Sequence, residues 1–179
     1  MVFIIAEFKP YMIPVLSLLL IDQIIKIIIS SAFMHYDFDI INNFIRFNPE
    51  INTNLSWASW AGNYINIFSS PLVTVLLNVL VIFIFLTGYL LYKAKREQTR
   101  FPVKIIMVCG LEGCLCSLID KLFWGGSLDF LQISGFFIFD LKDCYLTAAG
   151  VLFVIIGLFH NKEISVKEYV LFCYHKFRS

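Results

Sequence analysis

The chain has 179 residues, of which 59% are hydrophobic and 17% aromatic, and its mean hydropathy is +0.81. These values lie outside the usual range for a water-soluble globule, so we expect a bilayer to surround most of the chain. The net charge of +1 gives no reason to expect nucleic acid or a strongly acidic partner. The cysteines and histidines show no metal-ligand spacing, so we expect neither a metal nor a cofactor.

Four apolar segments are long enough to cross a bilayer as helices at about 1.5 Å per residue. The predicted spans cover residues 12–33, 71–92, 103–120 and 141–159. The second contains no charged residue and begins at Pro71, a residue suited to a helix start. The fold class we expect is therefore an all-α membrane protein with four transmembrane helices in one domain, residues 1–179.

The long segment between the first two spans, residues 34–70, is polar and rich in aromatic side chains. Such side chains suit the headgroup region, where a ring is buried and its polar tip stays wet. We expect a small extracytoplasmic β or amphipathic element here, after the first helix. Its detailed fold cannot be read from the pattern.

Basic residues set the expected orientation in the membrane. Lys93, Lys95, Arg96, Arg100 and Lys104 surround the connector after the second span, and four more basic residues lie in the tail, residues 160–179. The positive-inside rule places both segments, and both termini, in the cytoplasm. The third helix then runs outward and the fourth inward, so the extracytoplasmic ends of both helices lie on one side.

Four acids fall at that extracytoplasmic end, namely Asp120, Asp129, Asp140 and Asp143. Asp120 ends the third span and Asp143 begins the fourth, so we expect these two carboxyl groups to meet. Two carboxyl groups a few ångströms apart share a proton, so that one can deprotonate water while the other polarises a carbonyl. The plainer alternative is that both acids only end helices at the membrane interface.

Asp22, Lys26 and Glu112 are charged residues that lie well inside predicted spans, away from their ends. Asp22 and Lys26 have i,i+4 spacing, so they share a helix face and can neutralise each other. We favour this structural role over direct catalysis. Glu112 lies inside the third span, where a charged acid costs about 2.5 kcal/mol or more, so a partner or a wet interior is expected.

Several short motifs together resemble the lipoprotein signal peptidases, the bacterial signal peptidase II family (peptidase family A8). The family block Gly-Asn-x-x-Asp-Arg aligns with Cys116–Lys121, and its following Gly and Asp-Phe match Gly125, Asp129 and Phe130. The block Phe-Asn-x-Ala-Asp falls on Phe139–Asp143. Asp22, Gln23 and Lys26 match Asp-Gln-x-x-Lys, and Asn52, Thr53 and Asn54 are similar to Asn-Thr-Gly.

The resemblance implies a membrane-embedded aspartic endopeptidase that cuts the signal peptide from a prolipoprotein before its diacylglyceryl-modified cysteine. It implies Asp120 and Asp143 as catalytic residues. The supporting or substrate-binding residues would be Asp22, Lys26, Asn52, Ser117, Lys121, Asp129, Asp140 and Lys142. The implied setting is the bacterial cytoplasmic (inner) membrane, with a prolipoprotein and membrane lipid as partners, no metal, and a monomeric enzyme.

Departures from the family pattern identify a divergent member. Family Asn, Arg, Asn and Ala are replaced by Ser117, Lys121, Asp140 and Lys142, and a loop Gly-Ala-Ala-Phe is replaced by residues 54–57. Asp140 can cap the fourth helix as well as Asn can. Because it also adds negative charge, we expect Lys142 or Lys121 to compensate it.

Two other functions stay open at this point. A divergent relative that has lost proteolysis could bind a lipopeptide or a partner protein, and the altered residues around the aspartates motivate this alternative. A small proton or ion transporter could use Asp22, Lys26 and Glu112 as titratable groups within the membrane.

Overall fold

The computed structural model describes residues 2–53, 71–95, 99–159 and 166–178. Five α-helices account for most of this part of the chain: α1 (Val2–Ile28), α2 (Pro71–Lys95), α3 (Phe101–Ile119), α4 (Leu141–Phe159) and α5 (Val166–Arg178). Short π-helical segments, Ile29–Phe33 and Asp120–Trp124, continue α1 and α3. The second of these ends at Gly125, whose φ of 69° lies in the left-handed region that glycine adopts readily.

Three helical segments are long and apolar enough to cross a membrane, namely Glu7–Phe33, Leu72–Lys95 and Phe101–Trp124. They agree with the first three predicted spans, although α1 begins well before residue 12. The fourth predicted span coincides with α4, a helix of 19 residues. That α4 also crosses the membrane stays a prediction.

The described part of the chain is mostly helical, as expected, and its sheet has more strands than the small β or amphipathic element predicted after the first helix. Four antiparallel strands pair in the order β1 (Phe38–Ile41), β2 (Ile45–Asn52), β3 (Ser127–Ile133) and β4 (Ile138–Phe139). The first two form a hairpin where the small β or amphipathic element is expected, while the other two come from the segment between α3 and α4. The remainder of the loop, residues 54–70 with the altered positions 54–57, lies outside the described residues.

Two apolar clusters hold this architecture together. One joins α1, α2 and α3 around Tyr11, Tyr89 and Met107. The other packs Leu128 and Phe130 of β3 against the end of α1. Because successive strand residues point to opposite sides, burying Leu128 and Phe130 turns the intervening residue 129 away from this cluster.

The start of β3 passes very close to the end of β2. A Cβ on Gly126 would lie 2.8 Å from the Asn52 carbonyl oxygen, so only glycine allows this approach. The pairing sets Asn52 opposite Ser127 and Glu50 opposite Asp129. Residues of the segment between α1 and α2 and of the segment between α3 and α4 therefore lie side by side in one sheet.

Candidate active site

A buried ammonium group lies at the centre of the polar cluster. Lys26 is 0% exposed, and its Nζ lies 2.8 Å from Asp22, 2.6 Å from Asp120 and 2.7 Å from Asp140. These partners come from α1, from the end of α3 and from the residue before α4. The predicted Asp22–Lys26 pair therefore forms, and Lys26 also ties three parts of the chain together.

Asp120 is held mainly by α1. Its carboxylate accepts hydrogen bonds from Lys26 Nζ at 2.6 Å and from Gln23 Nε2 at 3.0 Å. The Gln23 carbonyl in turn accepts a hydrogen bond from Trp124 Nε1 at 3.1 Å. The Asp-Gln-x-x-Lys motif thus fixes the end of the third helix, and Asp120 is fully buried by these contacts.

The strand β3 contributes Ser127 and Asp129, which share one face because they are two residues apart. Asp129 is 0% exposed and accepts hydrogen bonds from Ser127 Oγ at 2.7 Å and Asn52 Nδ2 at 3.0 Å. Ser127 itself accepts a hydrogen bond from Lys142. Asn52, predicted from its motif as a supporting residue, is therefore a direct partner of Asp129.

The start of α4 is capped reciprocally by two acids. The Asp143 backbone N–H donates to Asp140 Oδ1 at 3.1 Å, and the Asp140 N–H donates to Asp143 Oδ2 at 3.3 Å. This arrangement is an acidic version of the capping box, and it confirms that Asp140 can cap the fourth helix. Capping also brings the two carboxyl groups close together.

The Lys142 side chain extends from α4 towards the buried carboxyl groups. Its Nζ forms a short ion pair with Asp140 and lies 3.5 Å from Asp120 and 3.6 Å from Asp129. Lys121, the other candidate for compensating Asp140, instead donates to Ser117 at 2.6 Å. Lys142 and Lys26, rather than Lys121, are thus the cations that face the extra acid.

The carboxyl groups fall into two sets. Potential ligand atoms of Asp129, Asp140 and Asp143 all lie within 4.8 Å of one another, and those of Asp22, Cys116 and Asp120 form a second such set. Lys26 Nζ contacts every member of the second set. Asp143 therefore shares a set with Asp129 and Asp140, while Asp120, predicted as its partner, belongs to the other set.

The pKa values of Asp129 and Asp140 shift in opposite directions. Burial raises the pKa of Asp129, although Lys142 and the hydrogen bond from Ser127 oppose this shift. Burial also disfavours ionisation of Asp140, but Lys142 and Lys26 outweigh it and lower its pKa. Asp140 is thus held ionised as a counter-ion, while Asp129 retains a proton more readily.

Sequence reasoning missed two residues of this cluster, Ser127 and Gln23. Ser127 carries no charge and belongs to none of the quoted motif positions, although it lies two residues before Asp129. Gln23 was recognised only as part of a signature. Its i,i+3 spacing to Lys26, which makes the two side chains neighbours on the helix surface, was the available signal for a contact with another helix.

Glu112 does not have the expected partner. It is 0% exposed, and neither carboxyl oxygen has a hydrogen-bond partner among the described residues. A buried polar group without a partner destabilises the fold. Of the two expectations for Glu112, a hydrogen-bond partner is not found among the described residues, and a wet interior stays a prediction.

Replacing Glu112 by leucine is expected to stabilise the protein. The substitution Glu112→Leu keeps a similar volume and removes two unpaired oxygens, which is worth about 1–3 kcal/mol in the free energy of unfolding. The measurement is thermal unfolding in detergent micelles, with Glu112→Gln as the control that retains polar atoms. A lower melting temperature for Glu112→Leu would show that the carboxyl group has a stabilising partner.

Comparison with known proteins agrees with the motifs. The family model described as signal peptidase (SPase) II matches residues 14–159. A lipoprotein signal peptidase of Lactiplantibacillus plantarum is 27% identical over 154 residues, covering 84% of this chain and 95% of that protein.

Two solved structures share the fold. Both are described as bacterial membrane enzymes determined by the in meso method, one at 2.3 Å and one at 1.9 Å resolution. The first has a TM-score of 0.70 at 18% identity and covers 88% of this chain and 93% of its own. The second has a TM-score of 0.59 at 20% identity, with 82% and 91% covered. The helix α5 lies beyond the residues that the family model matches.

Proposed function

Because the chain belongs to the signal peptidase (SPase) II family, we propose that it is a membrane endopeptidase that removes signal peptides from prolipoproteins. The cut falls immediately before the diacylglyceryl-modified cysteine of the substrate. The observation that carries this proposal beyond the family match is the buried cluster of acids next to three apolar, membrane-length helices. Peptide hydrolysis at such a place needs groups that activate water without a soluble cofactor, and paired carboxyl groups can do so.

The catalytic acids in this proposal are Asp129 and Asp143. Their potential ligand atoms lie within 4.8 Å of each other, close enough for one water molecule to contact both. One carboxylate takes a proton from that water, which attacks the scissile carbonyl carbon. The other, protonated, donates a hydrogen bond to the carbonyl oxygen and then supplies a proton to the leaving amine. The pair titrates as a unit.

The surrounding residues hold this pair and set its charge. Asn52 and Ser127 fix the Asp129 carboxyl group through hydrogen bonds. Lys26 and Lys142 neutralise Asp140. Asp120, predicted from the sequence as a catalytic residue, becomes in this proposal the group that anchors Lys26 to the end of α3.

The proposed setting follows from the same family and from the distribution of charge. The basic residues near the end of α2 and in the tail are cytoplasmic, both termini face the cytoplasm, and the acids open to the extracytoplasmic side of the bacterial inner membrane. The hairpin β1–β2 exposes Phe38, Ile40 and Phe44, which suit contact with lipid or with the acyl chains of the substrate. The protein acts as a monomer.

One observation favours a second candidate function. The Lys142 ammonium lies 3.6 Å from Asp129, where a cation favours the ionised form of the acid and so opposes proton sharing. A relative altered in this way could bind a lipopeptide without cutting it.

A cleavage assay separates the two functions. Purified protein in detergent is mixed with a diacylated prolipoprotein peptide, and the product is measured for the wild type and for the double substitution Asp129→Asn/Asp143→Asn. We expect cleavage by the wild type only. Tight binding of the peptide without cleavage by the wild type would support the binding protein instead.

Lys142→Ala is expected to reduce cleavage about tenfold or more. A tenfold loss corresponds to about 1.4 kcal/mol in the activation free energy. The reason is that Asp140 then keeps only Lys26 as a counter-ion, so more of its negative charge acts on Asp129. The measurement is kcat/KM for the lipopeptide. The double substitution Asp140→Asn/Lys142→Ala restores the family residues at both positions, and we expect it to recover most of the lost activity. Wild-type turnover in Lys142→Ala alone would contradict the compensated change.

A further inference from the structure

The Ser127 hydroxyl group lies among three acids. Its Oγ is 2.7 Å from Asp129 Oδ1, 3.2 Å from Asp140 Oδ2 and 3.3 Å from Asp120 Oδ2. A hydroxyl group has one hydrogen to donate, so it can form a full hydrogen bond with only one of these carboxyl groups at a time. The acid that receives this hydrogen bond is stabilised in its ionised form.

Lys142 restricts the direction in which Ser127 donates. An ammonium group donates hydrogen bonds but cannot accept them, so Ser127 Oγ is the acceptor in its contact with Lys142 Nζ. The hydroxyl hydrogen is therefore free to point towards an acid. The shortest of the three distances is the one to Asp129.

The three acids also differ in their other contacts. Asp120 and Asp140 lie 2.6 Å and 2.7 Å from the Lys26 ammonium nitrogen. Asp129 lies 3.6 Å from the ammonium nitrogen with which it forms an ion pair, which is longer than a normal hydrogen bond. Asp129 is thus the acid that gains most from the serine hydrogen.

The two proposed catalytic acids accept different numbers of hydrogen bonds. Asp129 accepts one from Ser127 and one from Asn52 Nδ2 at 3.0 Å. Among the described residues, Asp143 accepts a single hydrogen bond, from the Asp140 backbone N–H at 3.3 Å. Because hydrogen bonds to a carboxylate favour its ionised form, the proton shared by the pair belongs on Asp143 rather than on Asp129.

Burial opposes this charge distribution, since it raises the pKa of Asp129. Lys142 and the Ser127 hydrogen bond are the two strongest influences in the other direction. Removing the Ser127 hydroxyl changes this hydrogen bond and leaves every neighbouring charge in place. The charged groups around Asp129 are Lys26 from α1, Glu50 from β2, Asp120 and Lys121 after α3, and Asp140, Lys142 and Asp143 at the start of α4.

We propose that Ser127, oriented by Lys142, is a positioning residue that keeps Asp129 ionised as the general base, with Asp143 as the proton donor. This inference rests on the proposed peptidase function and assigns the two roles that the function requires. The water oxygen bonds to the scissile carbonyl carbon as its proton passes to Asp129, and Asp143 protonates the leaving nitrogen as the C–N bond breaks. The proton left on Asp129 then returns to Asp143.

The pH profile of cleavage by the full chain carrying Ser127→Ala tests the proposal. The acidic limb of kcat/KM reports ionisation of the base in the free enzyme. Loss of a donor to the ionised base raises its pKa, so we expect this limb to move to higher pH by about one unit while the alkaline limb stays in place.

Two further variants serve as controls. Ser127→Thr keeps the hydroxyl group and should retain the wild-type profile, which a loss of packing alone would not explain. Ser134→Ala makes the same change at an exposed serine between β3 and β4, and we expect it to leave both limbs unaltered. Thermal unfolding verifies that Ser127→Ala is folded. If it does not accumulate, Ser127→Cys replaces the hydroxyl by a weaker donor and should move the acidic limb in the same direction.

Two results would overturn the inference without affecting the peptidase function. One is cleavage by Ser127→Ala with an acidic limb that does not move to higher pH. The other is movement of the alkaline limb alone, which would make Asp129 the proton donor. Absence of cleavage by the wild type at every pH would instead contradict the peptidase function, and the assignment of roles would fall with it.

Discussion

Proteins carrying Asp129→Asn or Asp143→Asn are expected to lose lipopeptide cleavage by about 10³-fold or more, as single losses from a catalytic group do in other hydrolases. Asparagine keeps the size of the side chain but can neither take a proton from water nor hold the shared proton. Binding of the uncut lipopeptide should persist, because the substitutions leave the helices and the sheet unchanged. The measurement is kcat/KM for each variant together with the Kd of the peptide.

Asp120→Asn is the control that separates the proposed pair from the pair predicted by sequence. Asp120 contacts Lys26 and Gln23, and Lys26 still has Asp22 and Asp140 when one charge is removed. We expect a smaller loss of activity from this variant than from Asp129→Asn. The reverse order, with Asp129→Asn active and Asp120→Asn inactive, would return the catalytic role to Asp120.

Removal of the Lys26 charge is expected to have the largest effect on stability. In Lys26→Met a side chain of similar length replaces the ammonium, which leaves Asp22, Asp120 and Asp140 buried around an apolar group. Breaking a buried ion pair in this way costs about 3–5 kcal/mol, because the three acids lose the ammonium group that they share and only Asp120 and Asp140 still have Lys142. The thermal midpoint in detergent should fall steeply, or the protein should fail to accumulate.

Two comparisons make the Lys26 result specific. Lys9→Met removes an exposed lysine from the same helix, and we expect it to change the free energy of unfolding by less than about 0.5 kcal/mol. Adding Asp120→Asn to Lys26→Met removes one of the unpaired charges and should recover part of the lost stability. Equal melting temperatures for Lys26→Met and wild type would mean that Lys26 does not neutralise the cluster.

The pairing of Asp22 with Lys26 could be predicted because it depends on one helix. Residues four apart on an α-helix share a face wherever that helix lies. The same reasoning covers the capping of α4 by Asp140, since a cap involves only the first turn. The contacts of Lys26 with Asp120 and Asp140 could not be predicted in this way, because they join α1 to other elements of the chain.

The acids that lie close to Asp143 are the clearest case of a feature that the sequence could not predict. In sequence, Asp120 and Asp143 occupy the ends of two apolar segments, and the turn-back between them suggested that they meet. The structure places β3 and β4 inside that turn-back, and their pairing brings Asp129 to the start of α4. The pairing of β2 with β3, which holds Asn52 beside Asp129, joins segments separated by α2 and α3, and such a pairing has no local signal in a single sequence.

The sequence by itself determined the membrane-length helices, the presence of a small β or amphipathic element after the first of them and the family motifs. These features depend on the apolar length of a segment or on residues close together in the chain. Tertiary structure decided which acids share a site. Asn52 and Asp129 are 77 positions apart, and they meet only because β2 and β3 pair in one register, so their proximity is a property of packing and not of spacing.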